Sequence, residues 1–234
     1  MAELKGTFYG VSVGPGDPEL LTLQAVRLIR KCPVLAAPQT SSGQMLALDI
    51  ACSALGEALD GKTIVPLHFA MSRDPAVLAV SHKAAVQAVR PYLDAGQDVA
   101  MLNLGDVSIY ATFGYLQRLL EAEGYPTAMA AGVPSFCAAA ARLNVSLTGG
   151  MDAPLTIAPG SWAGRVLDTP GTKVLMKTGR QLPALLDTLR QTDKLKKSAL
   201  VCNCGLPDEQ VCPDLSLGQP QVQPGYFTTV LVKE

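Results

Sequence analysis

The chain is short of the side chains that most often carry chemistry. Its 234 residues include two histidines, His68 and His82, one tryptophan, and 5% aromatic residues. His68 falls at a strand end and His82 inside a helical pattern, so both read as structural or surface residues. No Ser-His-Asp order and no His-Glu-x-x-His motif is present. Charge is scarce too: Lys and Arg number 19 against 20 Asp and Glu, a formal net charge of -1. That argues against a nucleic-acid partner held by bulk positive charge. No apolar run reaches the length of a bilayer span, so no membrane partner is expected. The opening residues, MAELKGTFYG, lack a basic segment followed by an apolar stretch, and a cytoplasmic location is the expectation.

Cysteine is present without a framework. Cys32, Cys52, Cys137, Cys202, Cys204 and Cys212 are scattered through a chain large and apolar enough (48% hydrophobic) to build a core without disulfides. Cys202-Asn203-Cys204 has one intervening residue, not the two of a zinc knuckle. These thiols read as buried small hydrophobes, and no metal is expected.

What is there alternates in period. Strands are expected at Thr7 to Val13, Pro33 to Ala37, Thr63 to Phe69, Asp98 to Leu104 and Thr127 to Ala131. Helices are expected at Glu19 to Lys31, Gln44 to Leu59, Pro75 to Ala95 and Tyr110 to Glu123. Pro91 must kink or end the third helix, and Gly124 can stop the fourth. Five short strands alternating with helices imply an α/β unit with a mostly parallel five-stranded sheet covered on both faces. Such sheets bind ligands beyond the carboxyl ends of their strands. Three turns fall there: Gly14 to Pro18, Gly105-Asp106, and Gly132-Val133-Pro134-Ser135.

After residue 131 the texture changes. A small-residue helix, Ser135 to Leu143, precedes strands near Leu155 to Ala158, Lys173 to Lys177, Ala199 to Asn203 and Tyr226 to Val232, with a helix at Leu182 to Gln191. The Pro/Gln-rich stretch Gly218 to Gly225 reads as a loop. The expected division is an α/β domain over 1–131 and a smaller α+β domain over 132–234.

The turn Gly14-Pro15-Gly16-Asp17-Pro18 is not a phosphate loop. A P-loop needs Gly-x-x-x-x-Gly-Lys-Ser/Thr, and Gly10 and Gly14 stand too close with no Lys-Ser or Lys-Thr pair after Gly16. The dinucleotide fingerprint fails where its third glycine would be, at Glu19, whose charge repels a pyrophosphate. Asp17 is placed as a helix N-cap with Pro18 at the first helical position, filling the N–H groups a phosphate would use. Two glycines around a proline still permit a neutral, cationic or large flat ligand to approach the backbone.

Four segments, GVSVGPGDPELLTLQA, NLGDVSIYATFGYL, AAGVPSFCAAAARL and VLMKTGR, together and in this order resemble the tetrapyrrole (corrin and porphyrin) methylases over nearly the whole chain. The resemblance implies two α/β domains with a ligand cleft between them, S-adenosyl-L-methionine as co-substrate, a tetrapyrrole as small-molecule substrate, and a homodimer. The GVPSF turn and the MK-x-GR stretch favour the branch that methylates C-20 of precorrin-2 or cobalt-factor II over the branch methylating C-1. Carried over by motif, Leu104, Gly105, Asp106 and Ile109 match the family's Gly-Asp cofactor turn. Pro134 and Ser135 match the next cofactor loop, and Met176, Lys177 and Thr178 match the segment where the second domain meets the ligand. Cys202 and Asn203 lie where backbone approaches the adenine. The family often has Gly-Asp-Pro; position 107 here is Val, which removes the proline's rigidity from the turn.

Methyl transfer from a sulfonium to an electron-rich meso carbon needs alignment of two ligands and later removal of a proton, but no protein nucleophile. Asp106 is the first polar candidate, to hold the methionine ammonium or to act as base, against an ordinary turn-forming aspartate. Lys177 can meet a substrate carboxylate or move a proton, against a solvated strand-end lysine. Tyr226 can hydrogen-bond the macrocycle or relay a proton, against a core aromatic with a wet hydroxyl. Gly14, Pro15, Gly16, Asp17 and Arg180 are the substrate-side candidates. Arg142 and Arg165 are further possible partners of substrate carboxylates or plain surface residues. The alternatives are methylation of another tetrapyrrole carbon and a non-catalytic tetrapyrrole or metal carrier using Cys202, Cys204 or His68.

Overall fold

A computed structural model describes residues 5–218 and 225–234; residues 219–224 of the expected Pro/Gln-rich loop lie outside it. The chain divides into two compact units, Met1–Pro134 and Ser135–Glu234.

The first unit alternates strand and helix: β1 (Phe8–Ser12), α1 (Leu23–Lys31), β2 (Val34–Gln39), α2 (Leu46–Leu55), β3 (Thr63–His68), α3 (Pro75–Asp94), β4 (Val99–Asn103), α4 (Phe113–Ala122) and β5 (Thr127–Ala130). The strands form one parallel sheet in the order β3-β2-β4-β1-β5. Its alternate residues feed two cores. Phe8, Val65, Val99 and Met101 pack with Val86 and Val89 of α3 and Phe113, Leu116 and Leu120 of α4. Val11, Leu35, Ala100 and Leu102 pack with Ala25, Leu28 and Ile29 of α1 and Ala47, Ile50 and Ala51 of α2. The chain therefore leaves β1 for one face of the sheet and leaves the adjacent β4 for the other. Neighbouring strands whose connections part in this way open a crevice at their carboxyl ends, where doubly wound sheets hold ligands.

The local chemistry explains where elements begin. Expected to start at Glu19, α1 starts at Leu23, because the Thr22 hydroxyl accepts the Ala25 N–H (3.1 Å). Asp17 does cap, but it caps a short 3-10 turn, Pro18–Leu20, by accepting the Glu19 N–H at 2.9 Å. The second helix, expected to reach Leu59, ends at Gly56, whose φ of 49° leaves the helical region. Pro91 lies in the last turn of α3, which runs on to Asp94. Tyr110 has φ 51°, outside the right-handed region, so α4 begins after it and not at it.

The second unit holds α5 (Ser135–Leu143), β6 (Leu155–Pro159), a one-turn α6 (Ala163–Val166), β7 (Thr172–Met176), α7 (Leu182–Gln191), β8 (Ser198–Cys202), β9 (Gln210–Cys212) and β10 (Thr228–Val232). Its sheet is mixed, in the order β6-β7-β10-β8-β9, with β6 parallel to β7 and the other pairs antiparallel. Leu182, Leu185, Leu186 and Leu189 of α7 cover Leu175, Leu200, Val230 and Val232. The last strand begins at Thr228, so Tyr226 precedes it and does not lie within it.

Candidate active site

In the first unit the loops after β1, β4 and β5 meet and are tied together by polar groups. The Gly105 N–H donates to the Gly14 carbonyl (2.7 Å), bridging the β1 and β4 loops. Both glycines hold positive φ, 75° and 71°, which leaves this backbone free of Cβ crowding. The buried Ser12 hydroxyl accepts the Val107 N–H (2.9 Å) and donates to the Ala130 carbonyl (2.7 Å). Val107 thus supplies an N–H that proline lacks, and the turn is fixed by a hydrogen bond where a pyrrolidine ring would otherwise stiffen it.

Asp106 joins β4's loop to β5's. Its Oδ1 accepts the Ser108 N–H (2.8 Å) and hydroxyl (2.5 Å), and its Oδ2 accepts the Gly132 N–H (2.8 Å). Burial pushes this carboxyl up, but the Gly132 N–H and the Ser108 hydroxyl and N–H outweigh it and hold it below the ordinary 3.8. A carboxylate stabilised as the anion on both oxygens is a loop staple and a poor proton acceptor; this arrangement favours the turn-forming reading of Asp106 over the base. Gly132 must be glycine, since a Cβ there would lie 2.3 Å from the Ser12 Cβ. Leu104, Ile109 and Pro134 are half-buried around these turns. Gly14, Pro15 and Gly16 are buried, and Asp17 is engaged with Glu19.

In the second unit the candidates also gather at one edge. Met176 ends β7 and Cys202 ends β8, and both flank the start of β10, pairing with Thr229 and Thr228. Thr178 is fully buried, its N–H and hydroxyl both on the Thr228 carbonyl (3.2 Å). The Cys202 Sγ lies 3.4 Å from the Thr228 Oγ1. Lys177 and Asn203, the residues just past the two strand ends, take φ of 56° and 49°. Asn144 and Asp193 also have positive φ but follow helix ends, where such a cap is ordinary. Lys177 and Asn203 have no helix to terminate, and backbone strain of this kind concentrates at functional sites. The Lys177 Nζ lies 5.2 Å from the centre of the Tyr226 ring, which packs edge-on against Phe227 (5.3 Å).

Arg142 is held by Glu209, at 2.8 Å from Nε and 2.5 Å from Nη2. Arg165 stacks on Trp162, while Arg180 is exposed beside the start of α7. His82 is buried and stacked on Tyr115 (4.6 Å). Among the described residues no three His, Cys, Asp or Glu side chains are grouped to hold a metal. Ser12, Ser108, Thr228 and Glu209 organise these edges and carry no local sequence signal that marks them, because their partners lie on other segments or in the folded turn.

A doubly wound parallel unit with a polar-stapled crevice, followed by a mixed-sheet unit, defines a class of ligand-binding α/β protein. The profile of the Tetrapyrrole (Corrin/Porphyrin) Methylases matches residues 7–217, and the chain belongs to that family. It is 33% identical to a probable cobalt-precorrin-2 C(20)-methyltransferase of Methanocaldococcus jannaschii, over 82% of this chain and 81% of the relative. It is 30% identical to the cobalt-precorrin-2 C(20)-methyltransferase of Salmonella typhimurium, over 99% and 98%. A precorrin-4 C(11)-methyltransferase of Mycobacterium tuberculosis is 34% identical, but over 61% of this chain and 49% of that protein. The fold is that of uroporphyrin-III C-methyl transferase from Thermus thermophilus, solved with S-adenyl homocysteine (TM-score 0.70, 21% identity, 98% of each chain). It is equally that of a cobalt precorrin-4 methyltransferase (TM-score 0.72, 16% identity, 97% and 94%).

Proposed function

We propose that this chain transfers the methyl group of S-adenosyl-L-methionine to C-20 of precorrin-2 or its cobalt-bearing counterpart, a step of cobalamin biosynthesis. The observation that carries the reading is full-length similarity, 30% identity over 99% of the chain, to a relative named for that reaction. The C-11 alternative draws on a shorter match.

The donor set suits this co-substrate. S-adenosylmethionine presents an ammonium, a carboxylate, ribose hydroxyls and a flat adenine, and no phosphate. The N–H groups a phosphate would seek are already taken by Asp17 and Thr22. The first unit offers Leu104, Gly105, Asp106, Ile109 and Pro134, and the second offers Ser135, Met176, Lys177, Thr178, Cys202 and Asn203. When bound, the sulfonium supplies an activated methyl group and a neutral thioether leaving group. The protein aligns: the stapled turns at Asp106 and Ser12 fix the backbone of the first unit before any ligand arrives, which lowers the entropic part of the barrier. Asp106 acts through that staple. Lys177 and Tyr226 face the macrocycle, the ammonium toward a carboxylate and the ring toward the pigment edge, and the Tyr226 hydroxyl relays the proton of the methylated carbon to water, giving up its own proton as it takes that one. Gly14 to Asp17 and Arg180 complete the substrate side.

The active protein is a cytoplasmic homodimer. In support, Leu23, Met71 and Val80 are 89%, 83% and 70% exposed, large apolar groups of the kind that subunit contacts cover. Calorimetry with S-adenosylhomocysteine, then parallel turnover of metal-free and cobalt-loaded substrate, tests the reading. Saturable one-site binding with turnover of at least one substrate supports it; absence of both ends it.

A further inference from the structure

The segment after β8 folds on itself. Asn203 donates its N–H to the Phe227 carbonyl (2.9 Å) and its side-chain amide to Asp208 (2.6 Å), and its carbonyl accepts the Leu206 N–H (2.9 Å). Glu209 closes the turn: its Oε2 accepts the Gly205 N–H at 2.7 Å, and its own N–H donates to the Leu206 carbonyl at 3.0 Å. The same carboxylate leaves the turn through its other oxygen, Oε1, which accepts both Arg142 Nε and Nη2. Arg142 stands in the last turn of α5, the helix whose first residue is Ser135. The Glu209 side chain is 11% exposed although that of Arg142 is 60% exposed. Burial pushes its carboxyl up, but Arg142, the Gly205 N–H and the Cys204 thiol hold it below the ordinary 4.5. It is an anion shielded from water, with hydrogen bonds to both oxygens, unlike the exposed Asp187–Arg190 pair on α7.

We propose that Glu209 is a positioning residue for methyl-donor binding: by clamping the 203–209 turn to α5 through Arg142, it fixes the spacing between Asn203 and Ser135. The inference rests on the reading that these two segments line the donor site. Neither Glu209 nor Arg142 touches the donor; the clamp holds the left-handed Asn203 in register with the helix start. A rigid α-helix passes that constraint along its length, about 1.5 Å per residue. Charge-assisted, forked bonds of this kind set geometry as well as energy.

The test is a titration of wild type, Glu209→Gln, Arg142→Lys and the double variant with S-adenosylhomocysteine, alongside steady-state kinetics at saturating tetrapyrrole. Glu209→Gln should weaken binding and raise the donor KM by about tenfold or more, with kcat changed by no more than about threefold. Arg142→Lys keeps the charge, loses the fork, and should fall between the two. The double variant should be no worse than Glu209→Gln, because one clamp has been removed once. Asp187→Asn, at the exposed pair, should match wild type. Equal donor affinity in folded wild type and Glu209→Gln, or strictly additive effects, overturns the positioning role while leaving the functional reading intact. A wild type that ignores S-adenosylhomocysteine overturns both. Should Glu209→Gln not fold, Arg142→Lys decides alone, with an unchanged donor KM counting against the clamp.

Discussion

Asp106 sits in a turn that sequence alone leaves open between base and structural aspartate. Three donors converge on its oxygens: the Gly132 N–H and the Ser108 N–H and hydroxyl. In Asp106→Asn one carboxylate oxygen becomes an amide NH2, so at least one half-buried donor loses its acceptor. The variant should lose about 1–3 kcal/mol of stability at neutral pH, read by denaturant unfolding. The sign with pH follows from the lowered carboxyl. Its contribution is complete above the ordinary 3.8 and is lost as pH falls through the lower folded-state value. The gap between wild type and Asp106→Asn should therefore narrow on acidification below that range. A gap that stays constant or widens would show that the carboxylate is not the stabilising form.

At the scale of elements, the loops after β1, β4 and β5 depend on closeness that only glycine allows. Gly132→Ala places a methyl 2.3 Å from the Ser12 Cβ and 3.0 Å from the Gly105 carbonyl, so the β5 loop must move away. The variant should fold, because the sheet beneath is unchanged, but bind S-adenosylhomocysteine about tenfold or more weakly by calorimetry; unaltered affinity would detach this loop from the donor site. The sequence shows much of this scale and misses parts of it for physical reasons. The helix α7 reads correctly because Leu182, Leu185, Leu186 and Leu189 recur at helical spacing, and α5 because its run of four alanines, 138–141, favours a helix. The start of α1 does not, because Asp17-Pro18 and Thr22 both carry capping chemistry and only the structure shows that the first caps a 3-10 turn. Tyr110 looks helical by pattern and is left-handed. The strand β9, three residues long, is below the length at which alternation can be seen. Of the candidate residues, glycine-rich turns announce themselves, whereas Ser12 and Glu209 act through long-range partners that no local window contains.

For the whole molecule, strand order matters most. Five parallel strands were legible as alternation, but the arrangement β3-β2-β4-β1-β5 was not, and it alone puts the β1 and β4 loops side by side. Each unit then gathers its own candidates at one edge: Gly14 to Asp17 with Leu104 to Ile109 in the first, Met176 to Thr178 with Cys202, Asn203 and Tyr226 in the second. The most direct measurement is to supply the purified protein with S-adenosylmethionine bearing an isotopically labelled methyl group, together with cobalt-loaded and metal-free precorrin-2, and to locate the label by nuclear magnetic resonance. The account predicts a single labelled methyl on C-20. Label on any other carbon, or a macrocycle recovered without label, would contradict it.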